Sequence, residues 1–510
     1  MIEKLLERGG DLVEQADVCV IGSGAGGAVA AAEIASQGRS VLVLEQGHHW
    51  TPRDFTQRED EMMPRLFEEA GMRQTVDGAV TIMQGRNIGG STVHNLCYAF
   101  RAPPPILRMW REEHGLEELT PEALEPSFQR VEQGLRVKPI LEEEVNPFNA
   151  LLRAGAEKLG YSGFVARHNR ENCARSGYCV LGCTYESKQS MDITYVPRAH
   201  QAGARIYANA RAERIEAEGG RVRRVLGRVV DHAGQARGSI EVKAKVVVLA
   251  AGAVGSPDLL LRSGLGGEHV GRHLHLHPSV MAAGFWDEPI HAYRGIPQSY
   301  YIDEFIDLER EPHTGHLLMP LVGFPVLTAV NLPGFGRRHF EWMRHFDRMG
   351  GLLVLLHDPS EGSVESGDTL SRPKIRYALR AADRRRLTQG LRHSAEVLFA
   401  AGAQRVVVPY HREPLILERG ADLRAIESRE VREGELPIVS THPQSTCRMG
   451  ADARRSVVNA FGECHEVTGL FVADMSVFPT SLGAPPHITT AALADRTAHH
   501  ILARWPDLSE

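Results

Sequence analysis

The sequence predicts an α/β fold built on a Rossmann-like domain with a parallel sheet, and three observations carry that prediction. Residues 16–22 (ADVCVIG) form a β-branched run ending on glycine, and residues 25–38 (AGGAVAAAEIASQG) continue with helical spacing of Ala, Val and Ile. Residues 39–45 (RSVLVLE) give a second strand, apolar almost throughout, as expected where helices cover both faces of a parallel sheet. Two later apolar strands, at 245–251 (KVVVLAA) and 469–473 (GLFVA), bring the chain back to the same domain.

The 510 residues, 43% hydrophobic and 24% charged, suffice for a large core and two or three domains. A net charge of −6 with only short basic runs, such as Arg384 to Arg386, excludes a nucleic-acid surface. The N-terminal MIEKLLERGGDLVEQ lacks a cationic start, an apolar run and a cleavage site, so a cytoplasmic location is expected. The longest apolar stretch, 317–330, contains Pro320, Gly323 and Pro325 and is too short to span a bilayer; it leaves room for an apolar lid or a peripheral membrane contact. Seven cysteines, an odd number, argue against a disulfide framework. The segment 284–350, rich in Phe, Trp, His and Pro, reads as a substrate-binding insert, and no internal repeat or low-complexity linker separates the domains.

Gly22, Gly24 and Gly27 fit the G-x-G-x-x-G pattern, in which glycines allow a tight turn and bring backbone N–H groups and a helix N-terminus to a pyrophosphate. The pattern follows a strand and opens a helix, and Glu45 ends the next strand, where a carboxylate can bind ribose hydroxyls. Dinucleotide binding follows. FAD and NAD are held by the same physics and are not separated by this unit.

Four further segments resemble the glucose-methanol-choline oxidoreductase family and cover nearly the whole chain. Residues 84–101 (QGRNIGGSTVHNLCYAFR) look like its second glycine loop, with Gly89, Gly90, Ser91 and Asn95 at cofactor-contact positions. Residues 246–257 (VVVLAAGAVGSP) look like its strand-and-turn signature, and 441–450 (THPQSTCRMG) like the segment carrying the active-site histidine. Residues 469–497 look like the C-terminal return to the flavin, with Asp474 near its ribityl and pyrophosphate groups and Thr489 ending the return motif. Within the family, residues 179–204 are similar to a segment of the bacterial and long-chain alcohol oxidase branch. The resemblance implies FAD, oxidation of a CH–OH group, and an overall α+β architecture in which an antiparallel sheet underlies the substrate site. The expected division is an FAD-binding domain at 1–130, 191–275 and 438–510, a cysteine-containing substrate segment at 131–190 and a substrate-binding domain at 276–437.

Alcohol oxidation needs a base near the flavin to take the hydroxyl proton, and the resemblance places His442 in that role. The family's G-x-N-P-x-x-T pattern reads here Gly483-Ala-Pro485-Pro486-His487-Ile-Thr489, with proline at the asparagine position. Proline has no side-chain donor or acceptor, so His487 is the expected partner. His94 resembles a loop histidine that is bonded covalently to the flavin in part of the family; a hydrogen bond to the cofactor is the other reading.

Cys173, Cys179 and Cys183 follow C-x5-C-x3-C, a ferredoxin-type spacing with Ser176 in place of one cysteine, and the family includes dehydrogenases that carry a [3Fe–4S] cluster. Buried free thiols or one disulfide are the alternatives, and Cys19, Cys97, Cys447 and Cys464 read as packing residues. The aromatic, apolar insert favours a long-chain, aromatic or terpenoid alcohol, with oxygen or a redox partner as electron acceptor. The competing functions are a sugar or polyol dehydrogenase with FAD and the cluster, and a flavin-bearing lyase or non-redox FAD protein.

Overall fold

The computed structural model describes residues 2–310, 313–321, 323–367, 372–429 and 431–509. Strand β1 (Leu12–Ile21) is buried from Val18 onward, and its glycine turn feeds α1 (Gly27–Ser36), buried from Gly27 to Ala35. Alanine at most of these positions combines high helix propensity with a side chain small enough for a helix enclosed on all sides. β2 (Val41–Glu45) pairs parallel with β1, and β3 (Arg205–Ala208) pairs parallel with β2. On the other side, β4 (Arg221–Val230) runs antiparallel to the first half of β5 (Ala236–Leu249), and β5 pairs parallel with β1 from Ile240–Leu12 to Leu249–Ile21. Helix α2 (Gly252–Ser263) follows β5.

The second sheet is mainly antiparallel. β6 (Ser279–Phe285) pairs with β8 (Met349–Leu356), which pairs with β7 (Thr314–Leu321). Helix α3 (Ala381–Ala400) packs across these strands through buried Leu387, Leu391 and Leu398. β9 (Ile438–Ser440) joins β6 at the Val439–Ser279 pair and runs parallel to Val80–Ile82. The chain then returns to the first sheet with β10 (Leu470–Val472), parallel to β5, and ends on α4 (His487–Ala503), which packs against α1. The result is an eight-stranded sheet and an eleven-stranded sheet among the described residues, the mixed α/β architecture that the sequence predicts.

Register positions the site. Ser279 at the start of β6 faces both Leu355 near the end of β8 and Val439 in β9, so three strand ends release residues 275–277, 357–358 and 441–442 side by side. The apolar stretch 317–330 does not form one lid. Leu317, Leu318 and Met319 are core residues of β7, Val322 lies outside the described residues, and the helix Pro325–Asn331 leaves Val326 and Val330 exposed. All seven cysteines are free, and no helix among the described residues is long and apolar enough to cross a membrane.

Candidate active site and nucleotide face

The two glycine loops meet through one chain of hydrogen bonds. Gly89 N–H donates to Ser23 Oγ at 3.0 Å, and the Ser23 hydroxyl and backbone N–H donate to Glu45 Oε2 at 2.8 and 3.0 Å. Glu45 Oε1 accepts from Gly47 N–H at 2.8 Å, and burial pushes this carboxyl above its ordinary range. Gly22 has φ +99°, and a Cβ there would lie 2.2 Å from the Ala250 carbonyl oxygen. A Cβ on Gly27 would lie 2.0 Å from the Gly22 oxygen, and one on Gly90 would lie 2.8 Å from Gly24 Cα. Gly24 has only Gly90 Cα nearby, at 3.8 Å, so its requirement for glycine does not come from protein packing.

These residues fit a dinucleotide. The N-terminus of α1 opens behind a glycine-lined face, and buried Asp192 Oδ1, Ser476 Oγ and Thr489 Oγ1 have no protein partner. Asp192 lies against Gly89, in a position the sequence reading did not single out. Asp474 accepts hydrogen bonds from Gly252 N–H at 2.8 Å, the Ser256 hydroxyl at 2.5 Å and Ser476 N–H at 2.8 Å. It thereby ties the start of α2 to the turn after β10. Ser91 Oγ accepts from Gly85 N–H, and Asn95 Oδ1 accepts from Cys97 N–H, so both shape the second loop. His94 packs against Phe67 with ring centroids 3.9 Å apart and planes tilted by 37°; its buried Nε2 has no partner, and burial lowers its pKa to about 3.

A histidine cluster occupies the strand ends described above. His277 Nδ1 lies 3.1 Å from His442 Nδ1, and Gly483 N–H donates to His277 Nε2 at 3.1 Å. Asp358, fully buried, accepts from Leu276 and His277 N–H at 3.0 Å each, from the Ser481 hydroxyl at 2.9 Å and from the Tyr377 hydroxyl at 2.6 Å. Gln444 Oε1 accepts from Leu482 N–H, adding a second tie between the 441–444 and 481–483 loops. His277 is buried with φ +49°, a strained conformation for a residue with a side chain, held by the Asp358 bonds. His442 and His487 are half-buried, and burial lowers them to about 3 and about 4. His487 adds to the depression of His442, as neighbouring imidazoles do, and its own Nε2 is buried without a partner. Sequence reading found His442 and His487 but missed His277 and Asp358. The alternation His273-Leu-His275-Leu-His277 was the available signal.

The three clustered cysteines line one small cavity, partly open to solvent, and Cys97 lines it with them. Cys97, read from the sequence as a packing residue, is buried, and it lies in the wall of this cavity. The Cys97 and Cys179 thiols contact each other, and that hydrogen bond, with the Lys188 charge nearby, lowers Cys179 to about 7. Lys188 is buried with its ammonium on the carbonyls of Val93, Asn95 and Cys179.

A Rossmann-like sheet joined to an antiparallel sheet, with a histidine cluster at the strand ends, fits an enzyme that works with a bound dinucleotide. Sequence comparison specifies which kind. The family profile described as GMC oxidoreductase matches residues 63–279 and, in its C-terminal part, 358–494; a profile for an NAD(P)-binding Rossmann-like domain matches 20–74. An uncharacterized GMC-type oxidoreductase of Mycobacterium tuberculosis is 32% identical over 497 residues, covering 96% of this chain and 76% of that protein. A long-chain-alcohol oxidase of Arabidopsis thaliana is 29% identical over 509 residues, 94% of this chain, which spans 66% of that protein's length. Pyridoxine 4-oxidase from Mesorbium loti superimposes with a TM-score of 0.70 at 20% identity, covering 96% of this chain and 99% of that one. The chain belongs to the glucose-methanol-choline oxidoreductase family and is an FAD-dependent oxidoreductase acting on CH–OH groups.

Proposed function

We propose that this protein oxidises an apolar alcohol to its aldehyde or ketone, with His442 and His487 on the alcohol oxygen. The hydrogen-bond direction at the His277–His442 pair carries the reading. Burial keeps both rings neutral at physiological pH. Gly483 N–H donates to His277 Nε2, so the His277 proton resides on Nδ1 and donates to His442 Nδ1. The His442 proton is then on Nε2. His442 becomes the donor that holds the alcohol oxygen and steadies its negative charge, and the unpartnered Nε2 of His487 takes the hydroxyl proton. The sequence expectation made His442 the base and His487 its partner, and the Gly483 contact is what favours moving the base role to His487. Bound FAD supplies the hydride acceptor at N5.

Apolar substrate chemistry is supported by the long-chain-alcohol oxidases among the relatives, which also favour oxygen as the electron acceptor. The unpartnered His94 Nε2 is consistent with either a hydrogen bond or a covalent bond to the flavin. Anaerobic addition of a long-chain primary alcohol to the purified holoprotein should bleach the flavin bands. Persistent flavin absorbance with long-chain, aromatic and polyol alcohols alike would turn the reading toward a non-redox FAD protein.

A further inference from the structure

The cavity beside the second glycine loop holds a pair of thiols that alcohol oxidation does not use. Cys97 is buried in that loop, in a left-handed conformation with φ +69° that is uncommon for a residue with a side chain. Cys179 is half-buried and comes from a segment far along the chain. The Cys97 thiol donates toward the Cys179 sulfur, and both cysteines are free. Sequence spacing groups Cys179 with Cys173 and Cys183 instead. Those two sulfurs accept backbone N–H groups, from Arg175 and Lys188, both at 3.4 Å.

The paired thiols are unequal. The bond from Cys97, with the Lys188 charge, brings Cys179 down to about 7, whereas the same contact and burial push Cys97 well above the ordinary thiol range. The buried Lys188 ammonium donates to the Cys179 carbonyl at 2.7 Å. A thiol that ionises near neutrality is the effective nucleophile, and a protonated thiol against it is the group that condenses with its oxidised form.

The cavity selects the oxidant. It is partly open to solvent, and its enclosed space takes a molecule about the size of water. Hydrogen peroxide fits there, and an organic disulfide does not. Arg170, nearly fully buried, lines the same wall; its terminal nitrogens bind Glu144, and its Nε–H has no partner, which leaves a donor for a departing oxygen.

We propose that Cys179 and Cys97 form a redox-active dithiol, in which the Cys179 thiolate reduces hydrogen peroxide and Cys97 converts the resulting sulfenic acid into a Cys97–Cys179 disulfide. The thiolate attacks one peroxide oxygen, the O–O bond breaks, and the departing hydroxide takes up a proton and leaves as water. The Cys97 sulfur then attacks the Cys179 sulfenic sulfur, the S–O bond breaks, and the hydroxide leaves with the Cys97 proton as a second water. The sulfurs lose two electrons and the peroxide gains them. The new bond ties the second glycine loop to residues 173–183, and its formation does not depend on which alcohol is oxidised.

The test uses FAD-loaded protein, reduced and freed of reductant without air, with no alcohol present. A small excess of hydrogen peroxide should remove two thiols per chain, and non-reducing peptide mapping should find Cys97 joined to Cys179. The rate of thiol loss should rise about 10-fold between about pH 6 and about pH 8, following the Cys179 thiolate. Cys97→Ser should instead hold a sulfenic acid at Cys179 that dimedone labels, and Cys179→Ser should leave Cys97 reduced. FAD content reports the folding of each variant. A disulfide to Cys173 or Cys183, an unlabelled Cys179 in Cys97→Ser, or wild-type thiols unchanged by peroxide each overturns the proposal.

Discussion

His277 Nδ1 lies 3.1 Å from His442 Nδ1, and the backbone N–H of Gly483 occupies the opposite nitrogen of the same ring. The pair links the start of β6, the segment after β9 and the loop before α4 in one line of contacts. Replacing His277 should therefore disturb catalysis without removing the cofactor. His277→Ala is expected to slow anaerobic flavin reduction about 10–100-fold, the usual cost of losing a group that orients a functional histidine. Stopped-flow reduction checks it, and an unchanged rate with FAD retained would remove the relay.

His442 and His487 should respond differently to pH. Each alanine variant is expected to keep FAD and to reduce flavin about 10²–10⁴-fold more slowly. The residual rate of His487→Ala should climb with pH, because hydroxide supplies the alkoxide that the missing base no longer makes. That of His442→Ala should stay flat. The double variant should be little worse than either single one, since the two imidazoles act on one oxygen. The opposite pH pattern would return the base role to His442.

Buried histidines also predict how stability varies with pH. Burial lowers His94, His168, His316, His357 and His442 each to about 3. Above the ordinary imidazole value both folded and unfolded chains carry these rings neutral, so they contribute no pH dependence there. As pH falls from about 6.5 toward about 4, the unfolded chain takes up protons that the folded chain refuses, and stability drops. The urea midpoint should fall across that window, and His357→Gln should flatten the slope. A midpoint independent of pH there would contradict the burial of these rings.

Two glycines of the first loop should fail for different reasons. A Cβ on Gly26 would lie 1.6 Å from the Ala473 carbonyl oxygen, so Gly26→Ala should disrupt the β10 contact and the fold with it. Gly24→Ala meets nothing closer than 3.8 Å in the protein and should fold, yet lose FAD because its Cβ projects where the pyrophosphate approaches the backbone. The ratio of flavin to protein absorbance, with thermal melts of both variants, separates the cases. Full FAD occupancy in Gly24→Ala would move the pyrophosphate away from this loop.

The nucleotide face was largely legible because its code is local. Gly22, Gly24, Gly27 and Glu45 belong to one strand-turn-helix-strand unit, where turn chemistry and alternation of apolar runs act over short separations. His442 and His487 were legible through segment patterns. The apolar stretch 317–330 was ambiguous, since a strand interior such as Leu318 and an exposed helix position such as Val330 look alike in sequence. His277 and Asp358 were not read, because what makes them important is a hydrogen bond reached across the register of β6, β8 and β9.

The sequence by itself therefore determined the Rossmann-like unit, its glycine loops, the family and two of the three clustered histidines. Only the tertiary structure decided that His277 lies against His442, that the Gly483 N–H meets the other nitrogen of the His277 ring, and that Cys97 meets three cysteines from a distant segment. The reason is physical. Local backbone preferences are written in neighbouring residues, whereas which side chains share a hydrogen bond or a cavity depends on strand pairing and loop closure between segments far apart in the chain.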